Sequence, residues 1–570
     1  MSKYQIASVD IARRPACLVL AMVVMSASCI PPVAGAQGSQ QQPALPQSAA
    51  AARQNSGSIT CPINPQTVPP LSGPLAAARD LYRTGKFDDA IAAYNAIIPN
   101  GGDDAAAAYA GLSRVYLKQK RVADAESAAD KAVALTPNRA PAIVAQGEVL
   151  FRLGKLSQAE QAFRTPLLAC NLDARAYLGL ERIYYANLEF KTADKYIRQA
   201  YLIDPADPDI RREYMDALDG QEYIDFLKKY LADQTDDDAE TRKNLGIELS
   251  FAEAEQKEGK HECKVTNNVK ETETKMEPVF LGLDYLRGVG LNVKVNGVSG
   301  HMMIDTGASG ITIDKKIAEK AGVKKLVSQE IGGIGDSVGA AGYIGYADGI
   351  QIGDLKFQGC YIAVVNKRSV LEVDGIVGAD VFSDYLVNLN IPDRKVKLTQ
   401  LPPFPGEPPS GAAGLATSAN APRVLRNRYV PPEMKDYTLI MLFGHNMLIP
   451  TFVNKTGPSL FVIDSGSWDS LIDLGLARQV SNVTIDRNIE VRGLSGDVKN
   501  VYRTGTLTLQ FSHFQQQHDD VVAFDLTRLS DDIETQVSGL LGFTVLNLLD
   551  IKIDYRDGLV NFTYDPKSTR

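Results

Sequence analysis

The chain has 570 residues, more than a single hydrophobic core organises, which predicts about three or four domains. Hydrophobic residues at 45% and charged residues at 22% suit folded domains and exclude wholesale disorder. With 60 Lys and Arg against 68 Asp and Glu, the net charge of −8 gives no basic footprint for nucleic acid, and 5 His and 6 Cys without HExxH or paired CxxC spacing give no reason to expect a metal or cofactor.

At the N-terminus, Arg13 and Arg14 precede an apolar run, Ala16 to Met25, and a small-residue stretch ending Ala34-Gly35-Ala36. Basic, apolar, then A-x-A is the layout of an export signal. It predicts a signal peptide over residues 1–36, cleavage after Ala36, and a periplasmic or secreted protein. The run is too short for a membrane span; cleavage before Cys29 with lipid attachment is a weaker alternative. Export would leave Cys61, Cys170, Cys263 and Cys360 in an oxidising compartment, where three pairings, or none, are open. Residues 37–72, rich in Gln, Ser and Ala, read as a low-complexity linker.

Residues 73–235 read as repeating helices. Ala90, Ala125, Ala159 and Ala193 recur at a nearly constant interval, and four positions after each, on the same helical face, stand Tyr94, Ala129, Phe163 and Ile197. Pro137 and Pro205 fall where a second helix should stop, and Gly85 and Gly154 where the chain should turn. The interval and the pattern resemble the tetratricopeptide repeat, imperfect in its third unit, where Pro166 lies inside a helix. Such an array implies a surface for polypeptide substrate or a protein partner. Residues 236–275, charged throughout, are expected to form a capping helix and linker.

From about residue 276 the pattern turns to short β-rich stretches broken by glycine, and it too repeats. Met302-Met303-Ile304-Asp305-Thr306-Gly307-Ala308 is matched in the second half, aspartate for aspartate, by Leu460-Phe461-Val462-Ile463-Asp464-Ser465-Gly466-Ser467. Gly375-Ile376-Val377-Gly378 is matched by Gly539-Leu540-Leu541-Gly542, and the same offset carries through Val387 with Ile551 and Val396 with Val560. Residues 276–401 and 433–570 are therefore two copies of one domain, joined by a Pro-rich linker, 402–432.

These residues resemble the retropepsin-like aspartic proteases, marked by apolar-Asp-[Thr/Ser]-Gly and a later apolar-apolar-Gly element in each lobe. The fold expected is multidomain: an all-α tetratricopeptide-like array followed by two all-β retropepsin-like (acid protease) barrels. The resemblance implies that Asp305 and Asp464 meet as a dyad holding one proton between them, since like charges at close range cannot both ionise. It assigns Thr306 and Ser465 to a cross-lobe hydrogen-bond network. Gly307 and Gly466 would let backbone approach a carboxylate closely. Ser467, unlike Ala308, offers a hydroxyl to its carboxylate, which predicts activity at mildly acidic pH. Ile376, Val377, Gly378, Leu540, Leu541 and Gly542 form the apolar-Gly elements, and Gly333, Ile334, Gly335, Gly493, Leu494 and Gly496 mark two flap tips. Asp314 and Asp473 read as helix caps.

The second copy departs from the pattern at Trp468, whose indole is expected to narrow the cleft, and at Asp469, whose charge is expected to disturb proton sharing. A monomer with an intramolecular dyad is the favoured reading, with homodimeric pairing of the first copy as the alternative. The expected function is an aspartic-type endopeptidase cleaving polypeptide; the rival is an inert scaffold whose repeats and degenerate barrels only bind peptides.

Overall fold

The computed structural model describes residues 21–24, 72–169, 172–233, 237, 239–258, 263–267, 269–281, 285–335, 339–366, 373–405, 425–487 and 489–564. Most of the expected signal peptide and tether, with Cys29, Cys61 and Cys170, and the middle of the Pro-rich linker lie outside them. Within the expected signal, Ala21–Val24 pairs antiparallel with Glu490–Gly493.

Four helical pairs follow in order: Gly73–Arg83 with Phe87–Ile97, Gly102–Lys118 with Val122–Leu135, Ala140–Arg152 with Leu156–Leu168, and Ala174–Ala186 with Phe190–Ile203. The four repeat alanines are buried because two helix backbones approach there, and the residue one turn on fills the gap to the next pair. A Cβ on Gly111 would stand 2.3 Å from the Tyr94 ring, and one on Gly179 2.3 Å from the Phe163 ring. Small faces large at these two junctions, whereas Ala129 packs among Ala132, Ala142 and Ala145. Pro166 sits in the last turn of its helix, where the lost amide bond disturbs little beyond it.

The array bends until its ends meet. Tyr82 donates to Asp209 at 3.0 Å, and Arg175 joins Glu148 at 2.7 Å to Asp209 at 2.7 Å, with Arg114 on Glu148 at 2.8 Å. These charges are almost wholly buried and mutually paired, so they tie first-helix faces of successive repeats together. The helices Pro208–Met215, Gly220–Ala232 and Ala239–Glu258 continue the stack.

Lobe one begins earlier than its pattern suggests. Lys264–Val265 pairs with Leu355–Val365, and Glu271–Lys275 pairs with Lys395–Gln400, so both strands fall within the stretch expected to be linker. A disulfide joins Cys263 to Cys360. Lobe one is a nine-stranded sheet that closes on itself where Leu355–Val365 pairs with Ala340–Ile352. Lobe two is a ten-stranded sheet whose strand path, among the described residues, stays open.

The two-barrel expectation is corrected at the end of each copy. The hairpins Tyr385–Asn390/Lys395–Gln400 and Leu549–Asp554/Leu559–Tyr564 leave their lobes and pair with each other, Leu386–Asn390 running antiparallel to Asp550–Asp554. The result is a six-stranded sheet shared by both halves. Its alternation drives the pairing: Val387, Leu389, Ile551 and Ile553 point to one buried face, and neither hairpin alone could cover it. One apolar cluster therefore runs from lobe one through this sheet into lobe two.

Candidate active site

Asp305 ends the strand Val298–Asp305, and Asp464 follows the strand Thr456–Ile463. Each strand is held on its flank by the apolar-Gly element running parallel to it: Gly375–Gly378 against Met302–Asp305, and Gly539–Leu541 against Phe461–Ile463. The same elements pair antiparallel with Ile311–Ile313 and Leu471–Ile472, so the loop carrying each aspartate is threaded through a fixed frame.

The loops grip each other reciprocally. The Thr306 amide donates to Ser465 Oγ at 3.0 Å, and the Ser465 amide donates to Thr306 Oγ1 at 2.9 Å. Thr306 Oγ1 donates onward to the Ile463 carbonyl at 2.8 Å, and Ser465 Oγ to the Ile304 carbonyl at 3.2 Å. Four buried bonds thus cross between lobes at one point. A single chain brings the two aspartates together.

The glycines make this approach possible, and each faces the opposite lobe's acid. A Cβ on Gly466 would lie 2.1 Å from Asp305 Oδ2, and one on Gly307 would lie 2.8 Å from the Asp464 carboxyl. The Gly307 amide donates to Asp305 Oδ1 at 2.8 Å; the Gly466 and Ser467 amides donate to Asp464 Oδ1 at 2.9 and 3.0 Å. Both acids have 0% exposure, and among the described residues neither buried Oδ2 has a hydrogen-bond partner of ordinary geometry, while each carboxyl acts on the other. Burial lifts Asp305 to about 6, against the pull of the Gly307 amide. Burial and the Asp305 charge together hold Asp464 well above the usual carboxylate range. Protonation of at least one member relieves the repulsion, which leaves a pair able to accept one proton and give another.

One expectation is corrected here. The Ser467 hydroxyl donates to the Asp469 carbonyl at 2.9 Å, so the acidifying bond on Asp464 comes from the Ser467 backbone amide. Trp468 stacks on Phe543 with ring centroids 5.4 Å apart. Burial raises Asp469, and Arg503, the Thr544 hydroxyl and Arg287 oppose part of that rise. Asp314 and Asp473 do cap helices, accepting from Ile317 at 3.0 Å and from Gly475 at 2.9 Å.

The flap candidates of the two lobes meet each other. Glu490–Gly493 and Gly496–Val498 form a hairpin with Leu494 and Ser495 at its tip. The Gly333 amide donates to Ser495 Oγ at 3.1 Å, and the Ser495 amide donates to the Ile334 carbonyl at 3.0 Å. Leu494 packs into lobe one beside Ala308 and Ile376, while Ile334 packs into lobe two beside Leu471 and Leu540. Each lobe receives the other's tip.

Sequence reasoning passes over Ser495, which ties the tips, and Asp380, which accepts from Ser309 Oγ at 2.8 Å and the Gly310 amide at 2.9 Å and so fastens the Asp305 loop to its apolar-Gly element. Burial lifts Asp380 to about 6. The signal for Asp380 was its place two residues after Gly378; Ser495 carried none.

Residues 291–381 match the aspartyl protease family model, and residues 75–140 match a tetratricopeptide repeat model. Among curated proteins, DNA damage-inducible protein 1 of Neurospora crassa is 32% identical over 124 residues, 21% of this chain and 27% of that protein. The UBA domain-containing protein Mud1 of Schizosaccharomyces pombe is 28% identical over 162 residues, 28% of this chain and 47% of that protein. The chain thus spans between about a quarter and a half of the length of these relatives. Among solved structures, an aspartic proteinase from Irpex lacteus is 12% identical, covering 52% of this chain and 98% of its own with a TM-score of 0.32. A thermophilic tetratricopeptide repeat protein of Thermus thermophilus is 21% identical, covering 31% and 97% with a TM-score of 0.25. By its family matches, the chain joins a tetratricopeptide repeat segment to a retropepsin-like aspartic protease segment.

Proposed function

We propose that the protein is an aspartic endopeptidase in which Asp305 and Asp464 jointly activate water against a peptide bond. The observation that carries this reading is the reciprocal Thr306–Ser465 grip, which holds two buried acids face to face in one chain. With one proton on the pair, the ionised carboxylate removes a proton from water as the oxygen attacks the peptide carbonyl. The protonated carboxyl stabilises the developing alkoxide. The tetrahedral species then collapses as its nitrogen receives a proton from the pair, breaking the C–N bond without a covalent enzyme intermediate.

Polypeptide is the substrate class this geometry suits, and a protein partner on the helical repeats remains part of the proposal. Export supports the same picture: the N-terminal layout is that of a signal, and the Cys263–Cys360 disulfide belongs to an oxidising compartment. Cleavage after Ala36 would remove the Ala21–Val24 strand from the lobe-two flap.

The burial of both acids under joined flaps favours, as a second reading, a scaffold that only holds peptides. Asp305→Asn separates the two. The substitution keeps shape but ends proton sharing, so digestion of unfolded polypeptide should fall by at least about 1,000-fold while the variant still melts cooperatively and at no lower temperature than the parent. Unchanged digestion by the variant, or none by the parent protein between pH 3 and 7, would remove the enzyme reading.

A further inference from the structure

The short helix Thr527–Asp532 of lobe two touches both the array and the lobe-one flap. On its array side, the Asp531 carboxylate pairs with Arg152 at the end of the helix Ala140–Arg152, and both side chains are about nine-tenths buried. Lys120 stands 3.6 Å from the other Asp531 oxygen. Just past the helix, Thr535 donates to the Phe151 carbonyl at 2.8 Å, and the Phe151 ring meets Phe443 with centroids 6.0 Å apart. One turn back, Arg528 donates to the Gly335 carbonyl in the lobe-one flap tip at 3.3 Å.

Apolar packing joins the same parts. Ile334, the flap-tip residue, belongs to one continuous cluster with Leu526 and Leu529 of this helix region and with Phe151 and Leu156 of the array. A side chain in the array and a carbonyl in the flap are therefore held by opposite ends of one six-residue helix. The flap tips are joined through Ser495, and both acids of the dyad have no exposure, so on the peptidase reading the joined tips are the gate that must part for substrate.

We propose that the docked array is a clamp on the flaps: the Arg152–Asp531 contact seats the helix Thr527–Asp532, and the seated helix holds Gly335 closed through Arg528. Loosening the array contact frees the helix, lengthens the Arg528–Gly335 bond and lets the tips separate. Arg152, Asp531 and Arg528 are positioning residues, and none touches the dyad. This rests on the peptidase reading only in treating the joined tips as the gate to an active site; the linkage itself is mechanical.

Amide hydrogen exchange on the full-length protein tests it at the peptides containing Gly333 and Ser495, whose amides make the tip bonds, and the readout needs no proteolysis. Arg152→Ala, Asp531→Asn and Arg528→Ala should each speed exchange there at least about 3-fold, in the range expected for coupled sites. Arg152→Lys should restore much of the protection. Asn427→Ala removes a different array contact, with Thr192 at 2.8 Å, and should leave the tips at the parent rate. Exchange unchanged in both Arg152→Ala and Asp531→Asn would overturn the clamp, as would equal acceleration by Asn427→Ala, which would mean general loosening. A parent protein that digests nothing but shows the predicted exchange pattern would sink the peptidase reading and keep the linkage.

Discussion

A carboxylic acid sealed away from water and set against a second one gives up its proton late, and that property governs how activity should respond to pH. Below about 6 both Asp305 and Asp464 are protonated and no base is present; above it Asp305 ionises while Asp464, held higher by burial and by the Asp305 charge, keeps its proton. kcat/KM should therefore rise with pH to a midpoint near 6, and fall again only where the second proton leaves. The stability sign is opposite. A folded value above the unfolded one means the native state binds the extra proton, so stability is greatest below the unfolded value and declines as pH rises towards 6. Asp305→Asn should thus raise Tm at pH 7.5 by a few degrees and change it little at pH 4. A rate optimum below about pH 3, or a variant less stable at pH 7.5, would contradict this assignment. A rate that rises through pH 6 and holds until the second proton leaves replaces the expected peak at mildly acidic pH, and the Ser467 hydroxyl, which donates to the Asp469 carbonyl, takes no part in it.

Two strand ends, each carrying one aspartate, can cooperate only if something fixes their mutual position, and the Thr306–Ser465 grip is that fixture. Thr306→Ala would leave the Ser465 amide and the Ile463 carbonyl buried without the partner each now has. Each orphaned group costs about 1–3 kcal/mol, so the variant should lose about 2–4 kcal/mol in a urea melt and at least about 10-fold in kcat/KM. Thr306→Ser keeps the oxygen and should recover most of both; a Thr306→Ala melt superimposable on the parent would count against the grip. At this scale the sequence was most readable. The twin apolar-Asp-hydroxyl-Gly stretches and twin Gly-apolar-apolar-Gly stretches each lie within a few consecutive residues, so the strands they form announce themselves locally, as do the caps Asp314 and Asp473. Ser495, Arg528 and Asp531 stayed hidden because each works through a partner in a distant part of the chain and sits in no recurring spacing. The shared sheet was hidden likewise: alternation in Tyr385–Asn390 and Leu549–Asp554 reveals a face to be covered, but not that the cover is the other copy.

At the level of the whole chain, three attachments make one body of parts that the sequence spells as separate. The array is fastened to lobe two through Phe151, Arg152 and Arg182, the lobes share a sheet, and the segment entering lobe one is stapled to it by Cys263–Cys360. The staple is the attachment that depends on where the protein resides. It closes a loop of 97 residues, for which chain entropy gives a stabilisation of up to about 4–5 kcal/mol. Export and the bridge make a joint prediction. Protein recovered after export should begin at Gln37, carry Cys263 and Cys360 in one linked pair of peptides, and lose several degrees of Tm in Cys360→Ser. Intact mass before and after reduction, followed by peptide mapping, checks both halves. A retained Met1 with both cysteines as free thiols would remove the export proposal. A linked pair whose loss leaves Tm unchanged would instead show that the strand Glu271–Lys275, already paired with Lys395–Thr399, anchors this segment without the bond.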